Sequence, residues 1–440
     1  MDQYLKIDQT SSIGGVISLF GAKNAVLVIM ASTLLTQGKS VLRNVPVSSD
    51  VLHMIRLLES LGAEIFFDIV HHQLIIDTTG IDKWKVCPDI MQKMRASILV
   101  MGPLLGRFFK AEIALPGGCV IGPRPIDYHL KNFEKMGVTI DAAASYIKAH
   151  AYALKARELV LDYPSVGATE NLMMAAVGVS GTTTIINAAL EPEVLDLIAV
   201  LQKMGAQISV DIPATIVIEG GRELSPIDHE IVPDRLEAGS LLLAAAITGG
   251  SISIINAYPE HLSVFLLKLQ EMGHLVQTQK KKQGIHFIAT KEPIAVSFKT
   301  GPYPSFPTDL QAPMMSVQCI AQGKSVIEET VFESRFHHIR ELQKMGAVIQ
   351  TEGNKAIVTG VDELFGTHVI ATEIRGSCAL ALAGLAAKGT TIMTGIAHWK
   401  RCYDNFDQKL AKLGARIKLI EGDYKLLRAD KSDVLHLEKK

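Results

Sequence analysis

Along this 440-residue chain one hydrophobic pattern keeps returning. An amphipathic stretch, apolar at every third or fourth position, runs into a Leu-Gly or Met-Gly break and then a short apolar strand. The phrase occurs as LLESLGAEI, NFEKMGVTI, VLQKMGAQI, KLQEMGHLV, ELQKMGAVI and KLAKLGARI. Its six glycines, Gly62, Gly137, Gly205, Gly273, Gly346 and Gly414, stand 68 to 75 residues apart. Glycine takes positive φ without a Cβ clash, so it ends a helix cheaply at that point. Upstream of the phrases lie helical stretches with little polar face, such as AVLVIMASTLL, NLMMAAVGV and CALALAGLAA, each followed by a turn and a strand. A helix apolar nearly all round has to be covered on every side.

Each unit therefore reads as a buried helix, a strand, a surface helix and one or two further strands. The expected fold is α/β: a two-lobed, inside-out α/β barrel of six repeats, three per lobe, with buried helices inside and sheets plus surface helices outside. An open solenoid fits less well, because its units run to about 20–50 residues. The segment Tyr4–Leu19 has strand character but no helix of its own, and is expected to pair with the last units. That puts one lobe at residues 1–22 plus 233–440 and the other at 23–232, both sensible domain lengths.

Composition narrows the partners. With 48% apolar and 20% charged residues the chain is neither disordered nor collagenous. Lys plus Arg total 44 against 45 Asp plus Glu, a net charge of −1, so no bulk field draws in nucleic acid or an anionic membrane. Any anion site must be built locally. The longest apolar run, near Ala25–Leu35, is shorter than the ~18 residues of a spanning helix. Five cysteines without a C-x-x-C pair read as thiols of a reducing compartment. A cytoplasmic location is expected, with no obligate protein partner evident.

Charge does concentrate at equivalent points of the repeat. The residues opening the six buried helices are Lys23, Arg95, Thr169 with Glu170, Arg235, Asp309 and Arg375, spaced 66 to 74 residues apart, and four of these openings are cationic. A helix N-terminus favours Asp or Glu by roughly 0.3–1 kcal/mol, so Lys and Arg there oppose stability and call for an anionic partner. Free N–H groups and converging cations would suit phosphate or carboxylate.

The loop LPGGCVIGPRP over Leu115–Pro125 sets Cys119 five residues from Arg124, and a guanidinium lowers the pKa of a nearby thiol. Cys119 could serve as acid or nucleophile. After the rigid stretch GPYPSFP, Thr308 or Asp309 could cap the helix, and Asp309 in a cationic cleft could act as a general base. Two GKS tripeptides lack the earlier glycine of a P-loop, having Thr33 and Gln318 instead, and read as structural turns. The pairs His71-His72 and His337-His338 lack a third ligand, so no metal and no other cofactor is expected. Met91, Met94, Met173, Met174, Met314 and Met315 read as core filler.

These motifs together, GAKNA, LRNVP, MRAS, LPGGCVIGPRPID, SVGATEN, PDRLEAG, FPTDLQA and VFESRF, closely resemble the enolpyruvyl transferase family over nearly the whole chain, from Leu5 to about Ile420. The cysteine loop points within it to the branch acting on UDP-N-acetylglucosamine rather than the sister branch acting on shikimate 3-phosphate. A non-catalytic UDP-sugar-binding paralogue is the remaining alternative. The resemblance implies transfer of enolpyruvyl from phosphoenolpyruvate to the sugar 3-hydroxyl, the first committed step of peptidoglycan precursor synthesis. It implies that Lys23, Arg124 and Arg401 hold the phosphate, that Arg335 and Arg375 take the carboxylate, that Cys119 protonates the enol methylene, and that Asp309 accepts the hydroxyl proton. Asn24, Arg95, Arg124, Ser165, Val166, Gly167, Asp309 and Val331 would line the sugar nucleotide. Departures from the family pattern are Lys400 and Cys402 in Lys-Arg-Cys-Tyr, where acidic-Arg-Gly-Tyr is usual, together with Tyr163-Pro164, Ser334 and Glu373.

Overall fold

The computed structural model describes residues 3–86, 88–91, 94–114, 126–142, 146–278 and 283–422. All six phrase glycines have positive φ, between 91° and 115°. At the first, Gly62 N–H reaches Glu59 O at 3.0 Å and Ala63 N–H reaches Leu58 O at 3.1 Å, satisfying carbonyls that the helix end would orphan. The glycine therefore turns each surface helix into its strand, as the spacing predicts.

The described chain divides into two compact units, one holding residues 20–234 and the other residues 3–19 with 235–422. The first unit contains three sheets: Asp228–Glu230, Lys39–Arg43, Gln73–Asp77 and Glu64–Asp68; Lys110–Ala114, Tyr146–His150 and Thr139–Ala142; and Glu158–Val160, Gly181–Ile186, Thr215–Gly220 and Gln207–Asp211. Each is an antiparallel set with a parallel edge, which in the three-stranded sheet shrinks to a single bridge between Lys85 and Glu112. The second unit repeats the plan in three four-stranded sheets.

The N-terminal segment is used twice. Gln3–Asp8 lies antiparallel between Thr390–Thr394 and Ile417–Glu421, completing the last sheet as expected. Gly14–Ile17 instead runs parallel to Ser251–Ile254, so it serves the first sheet of its unit. Asp228–Glu230 does the same for the other unit, pairing with Lys39–Arg43. In both units a strand remote in sequence thus supplies the edge that the first repeat cannot make itself.

Each unit has its own apolar core. In the second, helices Arg235–Ile247, Gln311–Gln318 and Ile374–Ala386 pack on one another, and every residue from Leu236 to Ile247 is buried. In the first, Met101–Phe108 packs on Val166–Ala176, and Lys23–Ser32 on the 3-10 turn Arg95–Val100. The six methionines named above are all buried. Two of the openings differ from the expected form: Arg95 and Asp309 sit in 3-10 turns, Arg95–Val100 and Thr308–Leu310, which lead into the α-helices. Among the described residues no helix is long and apolar enough to cross a membrane.

Candidate active site

In the unit of residues 235–422, Asp309 is the centre of a charge cluster. Its Oδ1 accepts from Arg335 Nη1 and its Oδ2 from Arg375 Nη2, each at 2.7 Å. The guanidinium side chains are 4% and 3% exposed, while the carboxylate keeps 22% of its surface. Burial alone would raise the Asp309 pKa, but the charges of Arg375 and Arg335 and the bonds they donate hold it far below the ordinary carboxylate range. Such a half-open pair is worth more than the ~0–1 kcal/mol of an exposed ion pair, and less than the ~3–5 kcal/mol lost on breaking a buried one. Asp309 makes no N-cap bond, so its capping alternative is set aside.

The cap at the Arg375 helix is Glu373, whose carboxylate accepts the N–H of Arg375 at 2.8 Å and that of Gly376. At two of the four cationic helix starts the expected anionic partner is a carboxylate of the protein itself, Asp309 with the cap Glu373 at Arg375 and Asp50 at Lys23.

Both arginines are also held from behind. Arg335 Nη1 donates to Thr308 Oγ1 at 3.0 Å and its guanidinium lies 5.4 Å from the Phe332 ring. Arg375 lies 4.9 Å from the Tyr403 ring and donates from Nη1 to Cys402 Sγ at 3.6 Å. Glu329, fully buried, organises the loop behind them by accepting from Thr300 and Thr308 hydroxyls at 2.8 Å and from the N–H groups of Val331 and Phe332. Val331 is thereby held by its backbone. Arg401 is half-buried beside His398, whose pKa is lowered by burial and by that cation, with Glu373 opposing.

Two departures from the family pattern find a place here. Lys400 turns to the N-terminal strand and donates to Gln3 Oε1 at 2.6 Å. Cys402 is buried against Arg375, next to Cys378, whose thiol burial pushes well above its usual 9.0.

In the unit of residues 20–234 the predicted residues take other surroundings. Lys23 is buried and pairs with Asp50 at 3.4 Å, and its N–H reaches Asp234 Oδ2 at 3.4 Å. Asn24 beside it is exposed. Ser165 caps the helix Val166–Ala176 by accepting from Ala168 N–H at 3.4 Å, with Val166 and Gly167 half-buried. Arg95 is half-buried, its pKa lowered by burial, and no carboxylate among the described residues pairs with it.

Next to these lies His129, which stands in no motif of the sequence. Asn171 Oδ1 accepts from Gly102 N–H at 2.5 Å, so its Nδ2 must be the donor to Ile98 O and to His129 Nδ1, both at 3.0 Å. His129 is then neutral with its proton on Nε2. Burial, and the nearby Arg95, lower its pKa to about 4. A Cβ on Gly167 would lie 3.5 Å from that Nε2, which places the donor at the helix start. The available signal is periodicity: His129, Asn132, Phe133 and Met136 share the inner face of one surface helix. Gly102 is required here, because a Cβ would meet Asn171 O at 2.1 Å.

Cys119 and Arg124 lie outside the described residues. Among the described ones, no group of three His, Cys, Asp or Glu side chains is placed to hold a metal ion.

The α/β fold of the chain agrees with the comparisons to known proteins. Residues 7–410 match the family of EPSP synthase (3-phosphoshikimate 1-carboxyvinyltransferase), and the chain belongs to that family. Within it the relatives narrow further. A protein of Caldanaerobacter subterraneus named UDP-N-acetylglucosamine 1-carboxyvinyltransferase 1 is 45% identical over 412 residues, 93% of this chain and 98% of its own. A UDP-N-acetylglucosamine 1-carboxyvinyltransferase of Geotalea uraniireducens is 45% identical over 409 residues, 93% and 97% of the two chains. Among solved structures, the enolpyruvyl transferase NikO from Streptomyces tendae superposes with a TM-score of 0.86 at 23% identity, covering 96% of this chain and all of its own. EPSP synthase from Acinetobacter baumannii does so at 0.72 and 15%, over 96% and 100%. These last two likenesses speak for the fold.

Proposed function

We propose that the chain is a carboxyvinyltransferase that moves the enolpyruvyl group of phosphoenolpyruvate onto the 3-hydroxyl of UDP-N-acetylglucosamine and releases phosphate, early in peptidoglycan precursor synthesis. The observation that carries this reading is the 45% identity, over 93% of the chain, to relatives bearing that name. The place of the reaction is the cytoplasm, where it feeds cell-wall growth, cell shape and division.

In this reading Arg335 and Arg375 take the substrate carboxylate, a role suited to two rigid, buried, permanently charged forks. Lys23, Arg124 and Arg401 hold the phosphate. Asp309 accepts the sugar hydroxyl proton as that oxygen bonds to the central carbon of phosphoenolpyruvate, while Cys119 delivers a proton to the methylene carbon. Loss of that proton and of phosphate then restores the vinyl group. Asn24, Arg95, Arg124, Ser165, Val166, Gly167 and Val331 line the sugar nucleotide, and His129 Nε2–H adds a neutral donor to that group. No metal or organic cofactor is needed, since the guanidinium and ammonium charges stabilise the anions directly.

Phosphate release measured with phosphoenolpyruvate plus UDP-N-acetylglucosamine, and separately with shikimate 3-phosphate, tests the proposal. Release is expected with the sugar nucleotide alone. Release only with the shikimate ester would overturn it. Tight sugar-nucleotide binding with no release in either mixture would favour a non-catalytic binding protein.

A further inference from the structure

The geometry points to Asp309 as the occupant of a seat built for a substrate carboxylate: it holds Arg335 and Arg375 until an incoming carboxylate displaces it, and displacement makes it a base. This rests on the reading above that these two arginines receive the carboxylate of phosphoenolpyruvate.

Three observations converge on it. The two oxygens of Asp309 go to two different guanidiniums at equal distances of 2.7 Å, which is the bridge a ligand carboxylate would form between them. The arginines are fixed in place, Arg335 by Thr308 and the Phe332 ring, Arg375 by Cys402 and the Tyr403 ring, so they stay put while the carboxylate changes. Arg335 Nε is buried with no acceptor among the described residues. Nε–H shares its edge of the guanidinium with Nη2, and both Asp309 and Thr308 bond Nη1, so the seat keeps a spare buried donor for a carboxylate that takes the place of Asp309. Asp309 is the mobile partner by accessibility, being the one member of the cluster with a fifth of its surface open.

The chemistry follows from charge alone. While clamped, Asp309 is stabilised as an anion and has little affinity for a proton. Once a substrate carboxylate takes the arginines, Asp309 loses both donated bonds and gains an anionic neighbour, and each change raises its proton affinity. Arrival of one substrate therefore arms the base that acts on the other, and the arginines never stand unpaired in a buried site.

Calorimetric titration with phosphoglycolate tests this, since that ligand carries the phosphate and carboxylate but no vinyl carbon to react at Cys119. Methyl phosphate serves as the ligand without a carboxylate. Asp309→Asn removes the internal competitor, so phosphoglycolate should bind the variant at least about tenfold more tightly than wild type, equivalent to about 1.4 kcal/mol, while methyl phosphate changes less than about threefold. Unchanged or weaker phosphoglycolate binding overturns the inference, and so does equal tightening of both ligands, which would be a general charge effect. Should the variant fail to fold, a crystal structure of the wild-type chain with phosphoglycolate decides. The ligand carboxylate on both arginines with Asp309 swung away supports the inference, and both 2.7 Å contacts intact contradicts it. Failure of the proposed function has a different signature, namely no phosphate release from phosphoenolpyruvate by the wild-type chain.

Discussion

Asp309 and Glu170 occupy matching places in two repeats, each a carboxylate at the start of a core helix, and their proton affinities are driven in opposite directions. Asp309 sits between two arginines and stays ionised far below its ordinary 3.8. Glu170, 4% exposed, is pushed well above its ordinary 4.5 by burial and by the charges of Glu193 and Glu191. The repeat sets where an acid stands, and the neighbours set what it is. Two buried guanidiniums favour the anionic form of the first, and a dry, acidic surrounding favours the protonated form of the second.

The largest effect should come from removing the charged member. Asp309→Asn should lower phosphate release with phosphoenolpyruvate and UDP-N-acetylglucosamine by about 10²–10⁴-fold, the usual worth of a positioned base, with the fold retained by circular dichroism. Turnover within about twofold of wild type would remove its role as base.

Arg375→Lys asks whether the fork or only its charge matters. An ammonium cannot bridge a carboxylate and donate to Cys402 at once, so KM for phosphoenolpyruvate should rise about tenfold or more, with a smaller change in KM for UDP-N-acetylglucosamine. Urea unfolding should show a loss of about 1–3 kcal/mol, discounted from the fully buried case because Asp309 keeps access to water. Equal KM values for wild type and variant would mean that a point charge suffices.

The smallest effect belongs to Glu170 and lies in the pH dependence of stability. A carboxyl whose folded pKa is raised binds more protons folded than unfolded, so it contributes stability below about pH 4.5 that is lost as pH rises towards the folded value. Glu170→Gln removes that loss. The variant's advantage in Tm over wild type should grow as pH increases from about 5, and a constant difference across the range would contradict the assignment. Asp309 has the reverse sign: its stabilisation is present above the ordinary 3.8 and disappears only as pH falls towards its depressed folded value.

Much of the fold was legible because its cues are local. The Met-Gly and Leu-Gly breaks mark six points where φ must be positive, and helices without a polar face have no other place than a core. Edge pairing was only half legible. Gly14–Ile17 closing the first sheet of its unit, and Asp228–Glu230 doing so in the other, join residues far apart in the chain, such as Gly14 with Ser251 and Val41 with Asp228, with no local signal for the choice.

The site divides in the same way. Charges at equivalent helix starts stood out by spacing, and Arg335, Arg375 and Asp309 are brought together. That Lys23 and Arg375 find carboxylates within the protein was not readable, because Asp50, Glu373 and Asp309 become their partners only through packing of the folded chain. His129 stands in no motif, and its role depends on Asn171, which is bound to Gly102 N–H and so fixes which of the two ring nitrogens carries the proton. Cys402 looked like a disturbance beside a phosphate ligand, and its thiol instead lies buried against Arg375.

The contrast between the two acids can be measured in one sample. With the side-chain carboxyl carbons of Asp and Glu labelled, and Asp309→Asn and Glu170→Gln used to assign the signals, a carbon NMR titration of the ligand-free chain reads both ionisations. Asp309 should stay charged throughout the acid range in which the fold survives, and Glu170 should titrate clearly above 4.5. Midpoints for both near the ordinary carboxylate values would contradict this contrast.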